Sequence, residues 1–584
     1  MKKQILYGSA NYEEIVQKNG YFVDKTVYIE KLEAILNPVF LRPRRFGKSL
    51  FCRMLECYYD INRRDDFERL FGQTYIGQHP TPLHNAFLVL QLDFSLVKPT
   101  GTLIDIEKRF DLTCNLEMRS LVNRNAIIFN DNVNIEMTND ASSNLQWLLS
   151  AIQQDKDLPK LYVIIDEYDN FANQLITAHK ESLYHELTED NSFLKTFFKT
   201  LKEGRKRGSI ANVFITGVLP ITIDDLASGY NIANFITLRP KFEQMLGFTQ
   251  TEVEKLLDEI YHDYEIDPNT RQEVLAIIKN HYDGYHFVTT KGEALYNSTL
   301  LMYFLEQLVE EKTLPTQLLD MNLKTDLSWV RCLTASNPSL TEEFVDQLTL
   351  HNQIGYDNQL MTHKFNLFQF FQKGFFPVSF FYLGMLTKQD PLYLKLPNLN
   401  MQQIFVEYFN EIHQIDVSSR YTEIMQRFIN EPKLEQLFAG YWEQYVSQLP
   451  EVIFQQVNEN FYRTTFYELC SRYLSDWFIW HVERSYPQGK SDLEFVGKYN
   501  EQFAGLRWVI EFKYYSNTKL KELKTSIDKF ELLKADTEQI NGYVEGLKKE
   551  YPEAKISQFV IYCFGNQGFR VFEVSSDKID RTLI

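Results

Sequence analysis

Short apolar runs, each closed by a polar or acidic residue, recur through the N-terminal half of this chain. Pro38–Leu41, Phe87–Phe94, Leu161–Asp166 and Ala211–Val218 are of this kind. Runs of that length and continuity read as strands covered on both faces. Between them the period changes: Leu50, Phe51, Met54, Leu55 and Tyr58 fall on one face of a helix. Alternation of such strands and helices predicts a parallel, doubly covered sheet, whose ligands sit at the carboxyl ends of its strands. Residues 301–455 carry periodic Leu, Phe and Tyr and predict a helical connector, with no catalytic cluster of its own. Further on, Lys490–Val496 alternates as a half-buried strand does. A turn region, Gly497 to Gly505, leads into Leu506–Lys513 as its hairpin partner, and Gln558–Phe564 reads as a further strand. The expected units are 1–300, 301–455 and 456–584.

The turn after the first strand carries the first chemistry. Arg42-Pro43-Arg44-Arg45-Phe46-Gly47-Lys48-Ser49 ends as a phosphate-binding P-loop ends, between an apolar strand and an amphipathic helix. The helix start offers N–H groups and a positive dipole end to phosphate. Lys48 can reach the β- and γ-phosphates, and the Ser49 hydroxyl can ligate Mg²⁺. Position 42, where the P-loop pattern has its first glycine, is arginine, so the segment alone is also compatible with a basic turn before a helix. The acids after Leu161–Ile165 complete the pattern: Asp166 would hold Mg²⁺ and Glu167 would polarise the attacking water. Thr216, at the end of Ala211–Val218, is a candidate sensor of the γ-phosphate. Arg44 and Arg45 could clamp phosphate oxygens. Arg239 is a weak candidate for a finger acting on a neighbouring copy, and is otherwise a surface arginine.

Composition narrows the setting. At 584 residues, three or four domains of about 150 residues are expected. The six cysteines are scattered without a C-x-x-C pair, which speaks for free thiols in a reducing compartment and against a zinc ribbon. The N-terminus lacks the apolar stretch of a signal peptide, and no run is long enough to span a membrane, so a cytoplasmic protein is expected. A net charge of −17 disfavours indiscriminate nucleic-acid binding and leaves room only for a local basic groove.

Five segments in order resemble the bacterial AAA-ATPase-like family: Val23-Asp24-Lys25-Thr26, the Arg42–Ser49 turn, Ile165-Asp166-Glu167-Tyr168-Asp169, Gly247-Phe248-Thr249 and Tyr282-Asp283-Gly284-Tyr285. The resemblance spans about residues 5 to 300 and makes Arg42 part of the family's own P-loop rather than a defect. It departs at Tyr296-Asn297-Ser298, where the family usually reads Tyr-Asn-Pro. It implies ATP and Mg²⁺ as ligands, and a connector like a winged helix around Phe380–Thr387 and Leu394–Asn398.

In the C-terminal hairpin, Glu511 and Lys513 share one strand face, with Asp492 on the neighbouring strand. Two carboxylates that can hold Mg²⁺, beside a lysine that offsets phosphate charge, are what phosphodiester cleavage requires. The set is similar to the Asp…Glu-x-Lys core of PD-(D/E)XK nucleases, a domain in which members of the AAA-ATPase-like family commonly end. A surface ion-pair ladder is the competing reading. Glu468 is expected to add an auxiliary carboxylate, with Glu483 as its competitor. Glu538–Tyr543 resembles the family's Gln-Ile-x-x-Tyr helix. Lys519, Lys521 and Lys524, with Tyr514 and Tyr515, suggest a strand-tracking edge or a plain solvated face. His281 and His286 lack metal-pair spacing and read as packing residues.

The expectation is therefore an α/β P-loop ATPase that regulates a Mg²⁺-dependent nuclease acting on nucleic acid, DNA above all, with defence against foreign DNA as its setting. Assembly into homo-oligomers is left open. The alternative is a non-catalytic ATP-driven switch whose C-terminal domain only binds nucleic acid or a protein.

Overall fold

Among the described residues, five strands form the N-terminal sheet: β1 (Pro38–Leu41), β2 (Leu88–Asp93), β3 (Leu161–Asp166), β4 (Ile210–Gly217) and β5 (Asn234–Phe235). Their order is β2-β3-β4-β1-β5 and every pairing is parallel. All residues of β1 and β3 are buried, as continuous apolar runs demand. Register places Asp93 beside Asp166, and Leu41 beside Gly217, so the carboxyl ends line up. Helix α1 (Lys48–Tyr59) packs on β2 and β3 and buries Phe51, Met54, Leu55 and Tyr58. Helices α2 (Leu103–Arg124), α3 (Ala141–Gln154) and α4 (Phe193–Arg207) cover the sheet further, α2 against β2 and α4 against β4.

The chain is described by a computed structural model, which covers all residues except 1, 130–132, 156, 171–173, 176–182, 184–185, 188, 190–191, 221–229, 316–317, 319–337, 363–368, 370–371, 488, 499–500, 524 and 575–584. After the sheet come α5 (Gln250–Tyr264), α6 (Arg271–Tyr282) and α7 (Ser298–Glu311), then α8 (Pro338–His351) and α9 (Leu399–Ile412). A small antiparallel sheet, β6 (Ile354–Gly355), β7 (Thr387–Lys388) and β8 (Tyr393–Lys395), runs in the order β6-β8-β7 beside these helices. The segment after β8 locks onto the end of α6: Asn398 Nδ2 donates to the Asp283 carbonyl at 2.9 Å.

The C-terminal unit begins with α10 (Glu459–Leu474). Strands β9 (Phe478–Tyr486), β10 (Gly489–Gly497) and β11 (Leu506–Tyr515) follow, then α11 (Lys534–Glu550), β12 (Lys555–Phe564) and β13 (Gly568–Glu573). The order is β13-β12-β11-β10-β9, antiparallel except for β11 and β12, which the α11 crossover makes parallel. Alternation splits the sheet into two apolar faces. Trp508, Ile510 and Phe512 belong to the core that includes Phe466 of α10, and Val509 packs with Ile540, Tyr543, Val544 and Leu547 of α11. Ile540 and Leu547 are fully buried, each contributing about 1.5–3 kcal/mol. The first of these cores runs on without a break into the N-terminal sheet.

Gly284 sits at φ +99°, and a Cβ there would lie 2.0 Å from the Pro397 carbonyl oxygen. Gly208, also left-handed at φ +84°, has open space around it. Gly208→Ala is therefore expected to cost only the backbone term, about 1–2 kcal/mol. Gly284→Ala adds an overpacking cost and should reach about 2–5 kcal/mol. Denaturant midpoints of the two variants check this; equal losses would show that the Pro397 contact yields freely.

Candidate nucleotide and metal sites

The turn from β1 to α1 is built around a buried cation. Arg42 is 1% exposed. Its guanidinium donates to the carbonyls of Glu243 (2.8 Å) and Thr237 (3.3 Å) and lies over the rings of Phe287 and Phe40, 4.1 and 4.6 Å from their centroids. Burial lowers its pKa to about 9. The side chain at the position of the pattern's first glycine therefore faces the core, not a phosphate. Phe46 is likewise buried, edge-on to Tyr285 and Phe287. Three backbone carbonyls of the turn are held from outside: Arg44 by Asn297 Nδ2 (3.4 Å), Arg45 by the Thr299 N–H (3.1 Å) and Phe46 by the Gly247 N–H (3.3 Å). The Gly-Phe-Thr, Tyr-Asp-Gly-Tyr and Tyr-Asn-Ser segments thus converge on the phosphate turn.

Gly47, at φ +91°, turns the chain into α1. Lys48 is buried and donates from Nζ to the Pro43 carbonyl at 3.2 Å, with Glu167 3.8 Å away. The Ser49 hydroxyl lies close enough to the Asp166 carboxylate to lower its pKa. Burial first, then Glu167, raises the Asp166 pKa to about 6. Glu167 adopts a left-handed backbone (φ 50°), which is uncommon for a non-glycine residue. Thr216 is buried at the neighbouring strand end, where its hydroxyl donates to the Phe40 carbonyl at 2.7 Å. Arg44 is exposed and Arg45 half-buried. Beside the turn lies a cavity of about 260 Å³. Its walls include Tyr21, Phe22, Val23, Leu246, Phe248 and Met302. An apolar slot continuous with a phosphate turn has the form of a nucleoside site. Its base-side walls come from segments far apart in the chain, and sequence reading did not assign them.

The second cluster lies between β10, β11, α10 and α11. Asp492 Oδ2 accepts the Phe512 N–H at 2.8 Å. Lys513 Nζ donates to Glu511 Oε1 (2.9 Å) and to Gln539 Oε1 (3.1 Å), and Gln539 Nε2 donates to Glu511 and to Tyr543. Glu511 Oε2 is buried and has no hydrogen-bond partner. Burial, then Asp492, raises the Glu511 pKa to about 8, and burial also raises that of Asp492. Arg463 of α10 bridges Glu483 (2.8 Å) and Asp492 (3.4 Å).

Two family models match the chain. Residues 6–227 match the predicted AAA-ATPase family, and residues 457–573 match the PD-(D/E)XK nuclease superfamily. The chain joins an AAA-ATPase-like domain to a PD-(D/E)XK nuclease-superfamily domain. No curated protein matches it.

The donor sets of both domains suit Mg²⁺. In the nuclease-superfamily domain, an unpartnered buried carboxylate oxygen of Glu511 beside Asp492 offers hard oxygen ligands. In the AAA-ATPase-like domain, Ser49 and Asp166 offer a neighbouring hydroxyl and carboxylate.

Glu468, expected as an auxiliary carboxylate, is buried on α10. It pairs with Arg472 one turn along α10, and Arg472 also approaches Glu407. Glu459, at the first turn of α10, interacts electrostatically with Asp492 and Lys513. Its pKa rises to about 7 through burial and then Asp492, with Lys513 opposing. The spacing from Asp492 gave no signal for it, because the crossing of α10 over the sheet decides which turn faces the strands. Asp536, 4.0 Å from Lys513, was likewise not singled out, whereas Gln539 belongs to the Gln-Ile-x-x-Tyr segment that the resemblance named. Glu483 stays near the site through Arg463. Lys519 and Lys521 are exposed, Lys524 lies outside the described residues, and Tyr515 packs against Phe530 and Phe564. Arg239 is exposed and bonded to Asn234. His281 is buried against Asn400 (2.8 Å), its pKa lowered to about 4 by burial, and His286 packs near Thr387. One more group, Glu342, Asp346 and His413, has metal-ligand spacing, but His413 Nε2 is already hydrogen-bonded to Asp346 (2.7 Å), the glutamate is exposed, and nothing else there points to a ligand.

A metal at Asp492 and Glu511 needs both carboxyls ionised. Glu511 is protonated below about 8, so Mg²⁺ affinity should be level above that pH and fall about tenfold per unit below it. Calorimetric titration with Mg²⁺ or Mn²⁺ checks the slope. A flat profile from acid to alkaline pH would remove Glu511 from the ligand set.

Proposed function

We propose that the AAA-ATPase-like domain binds and hydrolyses ATP with Mg²⁺, and that the C-terminal domain cleaves nucleic acid, DNA above all, in a Mg²⁺-dependent reaction controlled by nucleotide state. The observation that carries the nuclease reading is the unpartnered, buried Glu511 Oε2 beside Asp492 and Lys513. A surface ion-pair ladder would not bury a carboxylate oxygen without a partner. In this reading Asp492 and Glu511 hold the metal, which supplies Lewis-acid polarisation of the phosphate and a more acidic water. In the same reading Glu459 would accept a proton, and Lys513 Nζ, held by Gln539, would offset phosphate charge. In the other domain Lys48 and the first N–H groups of α1 take the phosphates, Ser49 and Asp166 hold Mg²⁺, and Glu167 orients the attacking water. Five described cysteines are buried free thiols and no described helix is long and apolar enough to cross a membrane, which supports a reducing, cytoplasmic setting. Defence against foreign DNA is the role proposed for the pair.

A non-catalytic switch is the alternative that the acidic net charge of −17 favours. Plasmid nicking separates the two. Lys513→Ala should lower Mg²⁺-dependent nicking about 10²–10³-fold while leaving ATP turnover unchanged. Lys48→Ala should abolish ATP turnover. Undiminished nicking by Lys513→Ala would remove the nuclease assignment.

A further inference from the structure

Helix α6 touches both candidate centres. At its C-terminal end the Tyr282 carbonyl accepts the Asn297 N–H at 3.1 Å, and Asn297 Nδ2 donates to Arg44 of the phosphate turn. Tyr285 and Phe287, just beyond, pack on Phe46 of the same turn. At its other end, nine residues away or about 14 Å along a rigid helix, Glu273 enters the C-terminal sheet. Glu273 Oε1 accepts from Arg507 Nη2 (3.1 Å) and lies 3.4 Å from Nε2 of the fully buried His481.

From Glu273 polar contacts continue to the metal ligands. Arg507 Nη1 donates to Glu494 Oε2 at 3.1 Å, and its guanidinium lies 3.9 Å over Tyr551 at the end of α11. The Glu494 side chain is fully buried and also accepts from Ser491 (2.9 Å) and Tyr486. Tyr486 stacks on Tyr543 at 5.4 Å, and Tyr543 receives the Gln539 amide that also holds Glu511. Arg507 is moreover on the same face of β11 as Glu511, about 13 Å along the strand.

We propose that Glu273 is a positioning residue of the nuclease centre, and that α6 transmits occupancy of the phosphate turn to β11 through the Glu273–Arg507 contact. This rests on the nucleotide-controlled reading above and names its physical link. A nucleotide that shifts the Arg44–Phe46 backbone shifts Asn297 and Tyr285, and so the end of α6. Glu273 then moves against a guanidinium that cannot follow freely, because Glu494 and Tyr551 hold it. A change in Arg507 reaches Glu511 along the strand and through Gln539.

Hydrogen exchange on the full chain tests this without requiring cleavage. With Mg²⁺ and a non-hydrolysable ATP analogue, exchange should slow in residues 40–50 and also, about tenfold, in residues 506–515. In Glu273→Gln, which keeps the side chain's size and removes its charge, slowing should persist at 40–50 and vanish at 506–515. The persisting response at 40–50 shows that the variant is folded and binds nucleotide. An unchanged 506–515 segment in the parent protein, or equal slowing there in the variant, would overturn the proposal. Failure of plasmid nicking would instead strike the nuclease reading, and the exchange pattern would still decide the coupling.

Discussion

Arg42 carries a full charge out of water into a pocket made of carbonyl oxygens and aromatic faces. A buried guanidinium is costly unless it is given acceptors, so the chain from Thr237 to Glu243 brings its carbonyls to Nη1 and Nη2, while Nε is buried without a partner. The segment leading to Gly247 and Thr249 is thereby held against the phosphate turn, and Phe287 is held above it. A glycine at position 42 would leave these oxygens without a donor. What looks in sequence like a missing glycine is the interaction around which the loops of the nucleotide site are arranged.

Charge is handled differently in the C-terminal domain. Two buried clusters lie side by side on the same face of β10 and β11. Around Glu494, acids and cations are matched: Arg507 and Arg484 meet Glu494, and Glu273 completes the set. Around Glu511 the balance is left open, with Glu459, Asp492 and Glu511 all raised in pKa and Lys513 nearby. A matched network fixes structure, whereas an acid excess in a water-poor site is a demand for a cation. The two clusters share strands, so the rigid one sets the geometry of the reactive one.

Much of this was legible in local sequence. Strand positions, the phosphate turn and Asp166 follow from apolar runs ending in polar residues. Glu511 and Lys513 follow from the two-residue period of a strand, and Asp492 from the hairpin that pairs β10 with β11. What was not legible depends on how elements cross. Glu459 and Glu468 stand on one helix, nine residues apart, and no local pattern tells which of them faces the strands. The walls of the cavity beside the phosphate turn come from residues near 21 and 22, 246 to 248 and 302, which only the tertiary fold brings together. Thr216 marked a polar strand end correctly, but its hydroxyl is directed to the neighbouring strand's carbonyl.

The braces of the phosphate turn also bear on how the molecule can be divided. The residues matched by the AAA-ATPase family end at 227, yet the donors to the carbonyls of residues 44, 45 and 46 are Asn297, Thr299 and Gly247. Arg42 likewise rests on Thr237, Glu243 and Phe287, and Gly384 of the connector packs on Pro43, leaving no room there for a side chain. A fragment cut at the end of the matched segment would keep every residue of the nucleotide motif and lose what gives the motif its shape. A piece of this chain that keeps these contacts to its phosphate turn therefore reaches into the connector.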